Sequence, residues 1–193
     1  MARAQRGVFL DRDGTLIVER VLPVRHVSEI ELVPGAAKAV ASFNRAGWPV
    51  VLVTNQAALA RGTLSWDEYE RVRVGLAHQL RQHGAHLDWD VCCPHHASEG
   101  LAPYLRPCHC RKPKAGMLLS AMARFSLAAE QWSLVGDAWR DLQAARAAKA
   151  QPHLVLTGKG AAERLRCEQA KLVLEHQIHA DLAAAARAML QAK

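Results

Sequence analysis

The chain has 193 residues, half of them hydrophobic, enough to bury a substantial core in one compact unit. Its formal net charge is +7, which favours anionic ligands, but the basic residues are scattered and form no dense block or aromatic-interleaved stretch, so nucleic acid is not the expected partner. No apolar run approaches the ~20 residues that span a bilayer, and Met1–Arg6 lead straight into an apolar strand with no room for a signal peptide, so a cytoplasmic protein without membrane contact is expected.

The predicted elements alternate. A short apolar run, Gly7–Leu10, reads as a buried strand and ends at Asp11-Arg12-Asp13-Gly14-Thr15. A helix follows over Ala36–Ala46, then a strand over Pro49–Val53 that ends in Thr54-Asn55-Gln56. Ser65 with Glu68 forms a capping box that opens a helix over Trp66–Gln82. A strand over Leu87–Val91 leads into a segment rich in cysteine and histidine, and the next helix is expected over Met117–Phe125. Beyond it come a strand over Trp132–Val135, a helix over Leu142–Lys149 and a strand over His153–Leu156. A weaker strand near Gln177–Ala180 and a helix over Leu182–Gln191 complete the pattern. This alternation predicts an α/β fold, a three-layer Rossmann-like parallel sheet with helices on both faces. No repeat or linker divides the chain, so residues 1–193 are expected to form one domain without a large cap. In such sheets ligands bind beyond the carboxyl ends of the strands.

The chemistry-bearing residues fall at those ends. Carboxylates beside an apolar strand are costly unless their charge is used. Asp11 and Asp13 can gather a hard cation through oxygen while one carboxylate oxygen stays free to attack, and Gly14 lets the backbone turn. Thr54 and Asn55 offer a hydroxyl and an amide suited to phosphate oxygens. Gly136-Asp137-Ala138-Trp139-Arg140-Asp141 projects Asp137 from a strand end, whereas Asp141 reads in part as a helix cap. Asp137, with Asp11 and the backbone carbonyl of Asp13, would complete an oxygen-rich Mg²⁺ site. Arg111 and Lys112 are the best candidates to balance a phosphoryl group, one as a planar fork and the other as a point charge.

Five cysteines, an odd number, argue for a metal site more than for disulfides in a chain without an export signal. Cys93-Pro94-His95 and Cys108-His109-Cys110 provide the tetrahedral set of a structural zinc site, tying both ends of a loop over about 93–110. Cys92, His96 and His109 are competing ligands; strand alternation points Cys92 away from Cys93 and toward the core. Cys167 stands apart as an unpaired thiol.

Taken together, D-x-D-G-T after a strand, Thr54-Asn55-Gln56, C-x-H…C-x-C-R-K-P and G-D-x-x-x-D resemble the histidinol-phosphatase-related branch of the haloacid dehalogenase superfamily. The resemblance spans about Gly7 to Ala148 and implies a phosphoric monoester hydrolase with catalytic Mg²⁺ and structural Zn²⁺. It implies that Asp11 attacks phosphorus to form an aspartyl-phosphate, and that Asp13 protonates the leaving oxygen and later deprotonates water. Asp11, Asp13 and Asp137 would hold Mg²⁺, Cys93, His95, Cys108 and Cys110 would hold Zn²⁺, and Thr54, Asn55, Gln56, Arg111 and Lys112 would bind phosphate or substrate. The implied substrate is a phosphorylated sugar, a heptose with two phosphates that loses the one at carbon 7 during lipopolysaccharide core synthesis.

Two departures stand out. The branch often has Lys directly after the last motif's first aspartate, where this chain has Ala138, so that a phosphate or sugar contact is either missing or supplied by Arg140 or Lys114. Val18–Pro23 also lacks the Asn, Gly and Tyr expected in the first substrate loop, and Arg20, Arg25 and Lys114 are candidate cations for a second phosphate. Histidinol phosphate is the nearest alternative substrate. A polynucleotide 3′-phosphatase, favoured by charge alone, and a non-catalytic zinc-organised binding module are the others. No dimer element is evident, so a monomer is expected.

Overall fold

The computed structural model of the protein describes residues 6–192. Among the described residues there are six strands: β1 (Gly7–Leu10), β2 (Val50–Asn55), β3 (Trp89–Cys93), β4 (Trp132–Gly136), β5 (Gln151–Val155) and β6 (Ile178–His179). They form one parallel sheet in the order β3-β2-β1-β4-β5-β6. Parallel neighbours require crossover connections. The helices are α1 (Ala36–Arg45), α2 (Ala57–Ala60), α3 (Trp66–Gln82), α4 (Gly116–Phe125), α5 (Trp139–Ala147), α6 (Gly160–Gln169) and α7 (Leu182–Gln191). The chain builds outward from β1 to β3, then returns to the far side of β1 as β4. Strand order therefore reverses between β1 and β4, which opens a crevice at their carboxyl ends.

The sheet is covered on both faces, so its central strands are continuous apolar runs rather than alternating ones. Side chains still divide by parity: Val8, Leu10, Val50 and Leu52 pack in one cluster with α1, α3 and α7. Phe9, Val51, Val53 and Leu134 pack with α4 and α5 on the other face. Phe9 stacks on the buried Trp132 with ring centroids 4.3 Å apart. A Cβ at Gly7 would collide with that indole, so glycine makes room for the stack. The parallel, doubly covered sheet is the fold expected from the alternation, with no large cap among the described residues. No helix among the described residues is long and apolar enough to cross a membrane.

The differences are local. β3 lies two residues further on than Leu87–Val91, because an edge strand buries little; only Cys93 in it is fully buried. α5 starts at Trp139 rather than Leu142, since the Asp141 side chain caps it by accepting from the Ala138 N–H at 3.1 Å. α6 has no counterpart among the predicted elements: half of its residues are charged or amide-bearing, and Gly160 and Cys167 are its only buried residues. That buried Cys167 joins Leu142, Leu154 and Val173 in a small core of its own.

Candidate active site

The register puts Leu10 of β1 level with Leu52 of β2 and Val135 of β4. The residues just beyond, Asp11, Thr54 and Asp137, are thereby gathered at one edge. Asp11 is buried, and its Oδ1 accepts the Arg12 backbone N–H at 2.7 Å. Asp137 is fully buried, and its Oδ2 accepts the Lys159 N–H at 2.8 Å. Gly14 and Gly158, both at positive φ, crowd the same oxygen so closely that neither could carry a Cβ. Asp137 Oδ1 is buried with no hydrogen-bond partner among the described residues. Asp11, Asp137 and Asp141 can bring one oxygen each within 4.8 Å of one another.

The electrostatics follow from this crowding. Burial, then the charge of Asp11, pushes the Asp137 carboxyl up to about 7. Burial acts against Asp11 too, but Lys112 and then Arg140 outweigh it and hold Asp11 below the usual carboxylate range. A buried acceptor without a donor, facing other carboxylates, suits a hard cation with oxygen ligands.

Lys112 is 1% exposed, which for a lysine demands partners. Its Nζ lies 2.6 Å from Asp141 Oδ1, 2.8 Å from the Val53 carbonyl and 2.9 Å from Asp11 Oδ1. Burial alone would lower this ammonium's pKa, but Asp11 and Asp141 raise it, so the lysine is charged. Asn55 fixes the backbone beneath it: its amide donates to the Lys112 carbonyl at 2.9 Å and accepts the Lys112 N–H at 3.0 Å. The expected phosphate-binding amide is therefore turned toward Lys112. Thr54 Oγ1 accepts from Gln56 Nε2 at 2.8 Å, and the same nitrogen donates to Asp13 Oδ2 at 3.0 Å. The buried Arg12 guanidinium grips both oxygens of Asp13 at 3.0–3.2 Å.

The sulfur cluster sits at the end of β3. Cys93 Sγ lies 3.7 Å from Cys108 Sγ and 3.1 Å from Cys110 Sγ, and His95 Nδ1 lies 3.7 and 3.3 Å from Cys93 and Cys110. A tetrahedron with Zn–S arms of ~2.3 Å has edges of ~3.8 Å; Cys93–Cys108 is close to this and Cys93–Cys110 shorter, and three thiols and an imidazole clustered this tightly are the donor chemistry that zinc takes. The competing ligands are elsewhere. Cys92 packs beside Tyr69, the His96 ring accepts the Glu99 N–H at 3.0 Å, and His109 is exposed. Arg111, next in sequence, donates to the His95 carbonyl at 3.1 Å, and Lys114 donates to the Cys108 carbonyl at 2.7 Å.

Lys114 is thus spent on the sulfur loop, and Arg25 is spent on Glu68 at 2.7 Å. Of the two replacements considered for Ala138, only Arg140 turns toward Asp11. Beside the acidic centre opens a cavity of about 600 Å³, lined by Gly14, Glu19, Arg20, Val21, Thr157 and Lys159. Lys159 pairs with Glu19 across it. Sequence reasoning missed Lys159 and undervalued Asp141, whose capping role is real but shared with Lys112. The available signals were the glycines flanking Lys159 and the spacing of Asp141 one helical turn beyond Asp137.

A parallel sheet with an acidic centre at its strand-order reversal is the arrangement of the haloacid dehalogenase-like hydrolases. A family model described as HAD-hydrolase-like matches residues 109–185. The D-glycero-β-D-manno-heptose-1,7-bisphosphate 7-phosphatase of Pasteurella multocida is 37% identical over 172 residues, 89% of this chain and 92% of that protein. The same-named protein of Mesorhizobium japonicum is 41% identical over 151 residues, 77% of this chain and 69% of its own. A crystal structure of D,D-heptose 1,7-bisphosphate phosphatase from B. bronchiseptica, complexed with magnesium and phosphate, has a TM-score of 0.85 at 34% identity, covering 97% of this chain and 99% of that one. The chain belongs to the haloacid dehalogenase superfamily and, within it, to the family of the heptose-bisphosphate phosphatases.

Proposed function

We propose that the protein hydrolyses D-glycero-β-D-manno-heptose 1,7-bisphosphate at carbon 7 through an aspartyl-phosphate. One observation carries the chemistry: a buried, ionised Asp11 beside Lys112 and a partnerless oxygen of Asp137. Asp11, Asp137 and the Asp13 backbone carbonyl would hold Mg²⁺, which when bound withdraws charge from the phosphoryl oxygens. Asp11 attacks phosphorus as the ester P–O bond breaks, and Asp13 gives its proton to the departing sugar oxygen. Asp13 then takes a proton from water, which attacks phosphorus and frees Asp11 and inorganic phosphate. Gln56 and Arg12 aim Asp13, and the Thr54 hydroxyl remains free to donate to a phosphoryl oxygen. Asn55 acts by fixing Lys112, and Arg111 meets the substrate from the sulfur loop.

Cys93, His95, Cys108 and Cys110 would hold a structural Zn²⁺ that leaves no open ligand position. Its role is to order the loop that delivers Arg111 and Lys112. The continuous six-stranded sheet supports one domain over residues 1–193.

The test is Mg²⁺-dependent phosphate release from the heptose bisphosphate and from histidinol phosphate, side by side. A preference of about a hundredfold in kcat/KM for the heptose is expected, ~2.7 kcal/mol of transition-state binding. The reverse preference transfers the assignment to histidinol phosphate. Inactivity on both defeats it.

A further inference from the structure

The acidic centre holds a cation to which the chemistry above gives no task. Arg140 lies in the first turn of α5, and its guanidinium reaches back to Asp11, with Nη2 3.8 Å from Oδ2. That is too long for a hydrogen bond. Its Nε is buried and has no partner among the described residues. Burial opposes its charge, yet the carboxylates of Asp141, Asp11, Asp137 and Glu19 more than offset this.

The neighbouring cations already have partners, although Arg111 keeps further donors for the substrate. Three oxygens lie within 2.9 Å of Lys112 Nζ, and an ammonium has three N–H groups to give. Arg111 donates to the His95 carbonyl, Lys114 to the Cys108 carbonyl, and Lys159 pairs with Glu19. Arg140 makes no hydrogen bond among the described residues and holds a buried Nε donor without an acceptor, near the carboxylate to which phosphorus must bond.

We propose that Arg140 is a catalytic residue whose guanidinium donates to oxygens of the transferring phosphoryl group, while Lys112 orients Asp11. The proposal rests on the phosphatase reading and deepens it. A buried N–H without an acceptor is unfavourable, and a phosphoryl oxygen arriving at Asp11 supplies one. As the bond to Asp11 forms and the ester bond breaks, charge spreads over the equatorial oxygens. A guanidinium already drawn to Asp11 by the surrounding carboxylates meets that charge, and its fork matches two of those oxygens as a lysine cannot.

The competing role is purely structural: Arg140 neutralises crowded carboxylates. The two roles predict opposite results when the zinc-containing full chain is studied at saturating Mg²⁺. Arg140→Ala and Arg140→Lys are compared with the parent for turnover of the heptose bisphosphate and for calorimetric binding of orthophosphate. Phosphoryl contact predicts that Arg140→Ala loses about a hundredfold or more in kcat/KM and binds orthophosphate at least about tenfold more weakly. Arg140→Lys, which keeps the charge and loses the fork, falls between the two. A structural role predicts tighter Mg²⁺ binding by Arg140→Ala, with kcat/KM and orthophosphate affinity within about threefold of the parent, and that result overturns the proposal. Should Arg140→Ala fail to fold, parent-like values for Arg140→Lys overturn the fork contact. If the parent turns over neither the heptose bisphosphate nor histidinol phosphate, the phosphatase reading falls first, and orthophosphate affinity alone then decides Arg140.

Discussion

Replacing Asp137 by Asn should make the metal-free protein more stable while abolishing its catalysis. In the absence of a cation, burial and the Asp11 charge push the Asp137 carboxyl up to about 7 from an ordinary 3.8. A raised carboxyl makes its full contribution to stability below about pH 4 and loses it as pH climbs through 7. At about 1.4 kcal/mol per pH unit, the cost of keeping this group ionised at pH 8 is about 4 kcal/mol. The asparagine oxygen can still accept the Lys159 N–H, so little is lost in exchange. A protein of this size moves by ~2–4 °C per kcal/mol, giving a Tm increase of about 10 °C for Asp137→Asn. The assay is thermal and urea unfolding of both proteins at pH 8 and pH 5, in Mg²⁺-free buffer without a chelator that would strip zinc. The gain should be large at pH 8 and shrink to about a third of that at pH 5. Adding Mg²⁺ should raise the parent and leave Asp137→Asn unmoved. An equal gain at both pH values would refute the electrostatic origin, because it could not then come from ionisation.

Removal of zinc should unravel the loop over 93–110 and take Arg111 and Lys112 out of place. Chelation or His95→Ala should expose that segment to proteolysis and suppress activity, and zinc should restore the chelated protein alone. Lys112→Met leaves Asp11 and Asp141 facing each other, so a stability loss of about 3–5 kcal/mol is expected by urea denaturation, with turnover reduced a hundredfold or more. At the opposite edge of the sheet, His153 lies 3.1 Å from His179, and burial first, then His179, pushes its imidazole down to about 3 from 6.5. Its depressed pKa means the unfolded chain binds the extra proton, so stability falls below about pH 6.5 by ~2 kcal/mol at pH 5. His153→Gln should remove that part of the acid sensitivity; unfolding at pH 7 and pH 5 with the same slope as the parent would contradict it.

Much of this molecule is decided locally and is therefore legible in the chain. Gly7–Leu10 and Val50–Asn55 are apolar runs bounded by turns, and Ser65 with Glu68 closes a capping box on backbone only three residues away. Cys93 with His95, and Cys108 with Cys110, sit close enough in sequence that spacing alone brings the donor atoms of each pair together. The polar helix α6 escaped notice because its fold signal is a single buried thiol, Cys167, whose partners lie on other elements.

The sequence by itself determined most of the elements and which charged groups end the strands, since hydrophobic periodicity and capping act over a few residues. Only the tertiary structure decided how those groups divide the work. Asn55 is 57 residues from Lys112, yet its side chain clamps that backbone. Asp141 caps its own helix and also faces a buried ammonium, and the backbone N–H of Lys159, in the turn between β5 and α6, fixes Asp137. Burial makes these assignments: once water is excluded, each donor and acceptor must be matched by whichever group the fold brings near, whatever its distance along the chain.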